Sequence, residues 1–76
     1  MARNKIKEIE RIKLVRKEMM KRHRLTKTAY ADKLGFDLKA YNQIENRGAN
    51  ANYLVGLYSA FGISSDYILS GIKSPF

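Results

Sequence analysis

Lys39, Asn42, Gln43 and Asn46 fall at positions i, i+3, i+4 and i+7, the spacing that lines up one face of a helix. All four side chains are of hydrogen-bonding type, and none forms a catalytic pair. An amide pairs bidentately with adenine N6 and N7, and an ammonium donates to guanine O6 and N7. The chemistry on offer is therefore the reading of base edges from a DNA major groove. Leu38, at the start of the same segment, could contact a thymine methyl. Tyr41 and Ile44 lie three apart on the opposite face and call for a partner helix behind them.

That partner is expected just upstream. Ala31 is small enough to let two helices approach, and Gly35 follows four residues later as the turn. Thr26 is a fitting cap for a helix over 27–34, and Asp37 for a helix from Leu38 to Asn46. Asp37 is read first as this cap and second as an acceptor for cytosine N4. Tyr30, Ala31 and Leu34 face inward, and Phe36 fills the turn. Upstream, Ile6, Ile9, Ile12, Val15 and Met19 step at helical spacing, which predicts a helix over about 5–22 capped by Asn4. Downstream, Asn50 caps a helix over 51–61 whose apolar face is Leu54, Leu57, Tyr58 and Phe61. Tyr53 is free to face outward beside the preceding loop. Gly62 ends that helix. Ser64 or Ser65 then caps a last short helix ending near Ser70, and Gly71 stops it. No strand-like alternation occurs. The expectation is an all-α domain of five helices, with residues 1–11 as a basic N-terminal arm or helix extension, 12–71 as the domain and 72–76 as a tail.

Charge narrows the partner. The 76 residues carry a net charge of +8. Residues 1–27 hold eleven Lys/Arg against three Asp/Glu, and residues 28–76 hold four of each. The basic excess sits in the first helix, where it either contacts phosphates or serves solubility. Such a balance favours a polyanion. Cysteine is absent, which excludes a disulfide frame and a Cys-based zinc site. His23, the one histidine, reads as a turn residue rather than a ligand. No metal, cofactor, catalytic set or small-molecule substrate is expected. No apolar run reaches transmembrane length and no signal peptide is visible, so a cytoplasmic protein is expected.

Phosphate contacts are expected from helix starts and adjoining loops. Thr26, Lys27 and Thr28 open one helix, where unpaired N–H groups and the dipole favour an anion. Asn46, Arg47 and Asn50 flank the loop after the polar-faced helix. Such contacts set register without reading sequence. Glu45 is read as a structural acid, and the aromatic residues Tyr30, Phe36, Tyr41, Tyr58 and Phe61 as core.

The segments LTKTAYADKLGF, YNQIEN and AFGISSDYILSG together resemble the helix-turn-helix domain of Cro and phage repressors, the XRE family. The resemblance covers about residues 12–71 and places the helix-turn-helix at about 27–46. It implies a compact lambda-repressor-like fold that binds operator DNA as a two-fold dimer and regulates transcription, as phage and mobile-element repressors do. By motif position, Leu38, Lys39 and Gln43 match the family's base-reading places, while Asn42 lies further round. Lys27 and the loop after Asn46 match its phosphate-holding places. The sequence departs from the pattern at Lys27, where Gln is common, at Tyr41, where a branched aliphatic is usual, and at Leu38, where a polar reader often sits.

Ile63, Tyr67, Ile68, Ile72 and Phe76 are many apolar side chains for a short chain end. They are expected to form a homodimer surface, or else to close the monomer core. The partner called for is double-stranded DNA, bound by a dimer. Two other uses of the same domain stay open: an antitoxin-type autoregulator, and a module that binds protein or RNA.

Overall fold

A computed structural model describes residues 4–72, and five local start signals account for its helices. They are α1 (Lys5–His23), α2 (Lys27–Lys33), α3 (Leu38–Arg47), α4 (Ala51–Phe61) and α5 (Ser65–Ser70), with no strand among the described residues. Each begins where a side-chain oxygen accepts the N–H three residues on. Asn4 takes it from Lys7 at 3.1 Å, Thr26 from Ala29 at 3.1 Å and Asp37 from Ala40 at 2.7 Å. Asn50 takes it from Tyr53 at 2.8 Å, and Ser64 from Tyr67 at 3.5 Å. Each bond satisfies a donor that has no partner within its helix, typically worth about 1 kcal/mol. Residues 5–11, expected as an arm or extension, are continuous with α1.

α1 is the spine, packing against α2, α3 and α5. It contributes Ile12, Val15 and Met19 to one core, which Tyr30, Ala31 and Leu34 of the α2 segment also enter. Tyr41 and Ile44 of α3, Tyr53 and Leu57 of α4, and Ile63 and Ile68 complete it. Tyr30 is the hub of the aromatic packing. It meets Tyr41 edge-on and stacks on Phe61, both at 5.5 Å between ring centres. α4 presses on the end of α2 at Gly56, where a Cβ would lie 2.5 Å from the Leu34 carbonyl oxygen.

Two expectations about the core are corrected. Ile6 is 73% exposed, because it lies across the helix from the buried stripe of α1, which is Glu8, Ile12, Val15 and Met19. On α4 the roles of two tyrosines are exchanged: Tyr53 is fully buried and Tyr58 is 65% exposed. The inner face of α4 is the i, i+4 pair Tyr53 and Leu57. One further residue carries Tyr58 about 100° round the helix and out to solvent.

Candidate nucleic-acid interface

The α2–α3 joint fixes how α3 is presented. Gly35 turns the chain with φ +88°, and the Phe36 N–H closes the turn on the Ala31 carbonyl at 3.0 Å. No atom lies within 4 Å of the place a Gly35 Cβ would take, so it is φ and not space that calls for glycine. Tyr41 and Ile44 then face inward and are buried, as their spacing predicted.

Behind α3 lies a charged clasp. Glu45 is 7% exposed. Its Oε2 accepts from Arg16 Nε at 2.5 Å, and its Oε1 stands 3.9 Å from Lys27 Nζ. One carboxylate thus links α1, α2 and α3. Around it are the buried hydroxyls of Tyr30, Tyr41 and Tyr53, which make no hydrogen bond of ordinary geometry. Burial pushes all three phenols well above their usual range, and the Glu45 carboxylate adds to the shift.

In front, α3 offers its polar face. Lys39, Gln43 and Asn46 are exposed, while Leu38 and Asn42 are half-buried at its edges. Asn42 Oδ1 is buried without a hydrogen-bond partner. Asp37 is engaged as the cap of α3, the first of its two readings. Thr26 and Thr28 are exposed at the start of α2, and Lys27 is half-exposed beside Glu45.

The loop after α3 is held from an unexpected quarter. Glu8, a fully buried carboxylate on α1, accepts the Ala49 N–H at 2.7 Å, and Lys5 Nζ donates to the Arg47 carbonyl at 2.7 Å. Gly48, with φ +102°, lies so close that a Cβ there would be 2.6 Å from Glu8 Oε2. A cleft of about 340 Å³ brings Gln43, Arg47 and Asn50 together with Lys5. Sequence reasoning missed Lys5 and Glu8. Their only local signal is that they stand three apart on one helical face, and nothing in it points to residues 47–49.

The expected dimer surface is not presented as a unit. Ile63 and Ile68 are 2% and 0% exposed and close the core of the single chain, so they have no side-chain surface left for a second copy. Tyr67 is half-buried against that core, and Ile72 is exposed. Phe76 lies outside the described residues.

Among the described residues no three His, Asp or Glu side chains gather into a set that could hold a metal, and no helix is long and apolar enough to cross a membrane. Comparison with known proteins finds no matching family model, curated protein or solved structure.

Proposed function

We propose that this chain is a sequence-specific double-stranded DNA-binding regulator of transcription, a small Cro-like repressor acting as a dimer on a palindromic operator. The observation that carries the reading is the two-sidedness of α3. Tyr41, Ile44 and Glu45 anchor one side, while Lys39 and Gln43 stand exposed on the other. Groups that read bases must be held rigidly yet reach beyond the protein surface, and this arrangement does both.

In this reading α2 and α3 form the helix-turn-helix, and α3 enters the major groove. Lys39 and Gln43 read base edges, with Leu38 and Asn42 at the margins of the contact. Thr26, Lys27 and Thr28 hold the backbone on one side, and Asn46, Arg47 and Asn50 on the other. The basic α1 adds long-range attraction that depends on salt. The resemblance of the 25–71 segments to phage repressors supports the same assignment.

The test is to map backbone amide resonances while titrating a random-sequence duplex pool. Shifts are expected in the first turns of α3, at Thr26–Thr28 and around Arg47–Asn50. Shifts confined to α1 would contradict the groove placement.

A further inference from the structure

The longest uncharged stretch in this basic chain also carries an open apolar face. No charged residue occurs in the 18 positions from Gly48 to Ser65, although the whole chain carries +8. α4 lies wholly within that stretch and is apolar on both sides. Tyr53 and Leu57 fill the core, while Val55 and Tyr58, three apart on the outer side, are 66% and 65% exposed. A helix that is apolar all round is normally buried all round. The outer side is also concave. A groove of about 470 Å³ runs between Leu54, Val55 and Tyr58 on α4 and Ser64 and Ser65 at the start of α5.

We propose that this α4 face is where a second copy of the chain docks, through a two-fold contact in which Val55 and Tyr58 of each copy enter the groove of the other. Charge selects the occupant. Two chains of +8 repel wherever Lys and Arg meet, and α4 lets them join with those charges held away. An acidic partner finds no cation here to pair with. A two-fold contact needs a self-complementary patch, and this one offers the exposed Val55 and Tyr58 on one wall of a groove that the small side chains of Ala51, Ser59, Ser64 and Ser65 leave open. A domain of this size gains from the added burial.

The dimer in the proposed function rests on this face, whereas the docking itself does not require DNA. The test therefore leaves DNA out. Sedimentation equilibrium of the full chain is measured at low and high salt for the parent, the Val55→Lys/Tyr58→Lys double variant and an Ile72→Lys control. The parent is expected to form a concentration-dependent dimer that holds or tightens as salt screens the repulsion. The double variant is expected to weaken the dimer about a hundredfold or more, at roughly tenfold per lost apolar contact. Both altered side chains are exposed, so its helical circular dichroism and cooperative melt should match the parent. Ile72→Lys, at an exposed side chain outside α4, should dimerise like the parent. A parent that stays monomeric overturns the proposal, as does a double variant that dimerises normally or a dimer broken by Ile72→Lys. DNA binding measured separately on the same samples shows whether the functional reading fails with it.

Discussion

Arg16 Nε meets Glu45 Oε2 at 2.5 Å across 29 residues of sequence, and this pair fastens α1 to the back of α3. Glu45 is nearly buried, so removing its partner leaves a carboxylate poorly compensated. Arg16→Leu is expected to cost about 2–3 kcal/mol, below the fully buried case because Arg16 is partly exposed and Lys27 remains nearby. Urea unfolding should show a lower midpoint with an unchanged slope. Glu18→Ala, which breaks the exposed Glu18–Arg22 pair, should cost no more than about 0.5 kcal/mol. Equal effects from the two variants would mean that burial does not govern the Arg16–Glu45 pair.

Gly48 and Gly35 both have positive φ but differ in surroundings, and this separates strain from collision. Gly35→Ala should cost about 1–2 kcal/mol, from backbone strain alone. Gly48→Ala should cost more, because its Cβ also meets the Glu8 carboxylate. In a double-mutant cycle, Glu8→Ala should relieve part of the Gly48→Ala penalty, giving a coupling of about 0.5–3 kcal/mol. Strict additivity in thermal or urea melts would remove the contact from the account.

Alkali should unfold the protein through its buried tyrosines. Tyr30, Tyr41 and Tyr53 are held protonated in the fold well above the ordinary value of 10.0. Above that value the unfolded chain loses these protons and the native chain keeps them, so stability falls as pH rises. The stabilisation is fully present below pH 10 and diminishes at about 1.4 kcal/mol per pH unit for each phenol. Phenolate absorbance from Tyr30, Tyr41 and Tyr53 should appear only together with loss of helix. Their ionisation while the helix is intact would contradict the burial.

On DNA, Gln43→Ala should cost about 1–3 kcal/mol at the preferred site and relax selection at one base pair. Lys27→Ala should weaken binding to all sequences alike and lower the salt slope by about one. Lys27 also faces Glu45, so its stability should be measured beside its affinity. Affinity titrations on matched and mismatched duplexes separate the two roles. Sequence-dependent loss at Lys27, or uniform loss at Gln43, would reverse the assignment.

Much of this fold is written in short-range signals. All five helix starts were legible, because a cap such as Asp37 acts on an N–H three residues away. The inward placing of Tyr41 and Ile44 was legible too, because α3 has one apolar and one polar side. α4 has no such contrast. Its apolar residues ring the helix, and only tertiary packing decides that Tyr53 goes in and Tyr58 out. The burial of Glu8 was hidden for a different reason: its partner Ala49 lies 41 residues away. For Ile63 and Ile68 the sequence allowed both an interface and a core, and the return of the chain against α1 made them core.

The most direct test of the central claim is selection from a random duplex library by the purified chain at about physiological salt, where non-specific binding is weak. The account predicts a recovered palindrome with half-sites about ten base pairs apart, and a preference altered at one position per half-site by Gln43→Ala. Recovery of no motif, with binding that disappears as salt rises, would contradict it and leave only the charge of α1 attracting DNA.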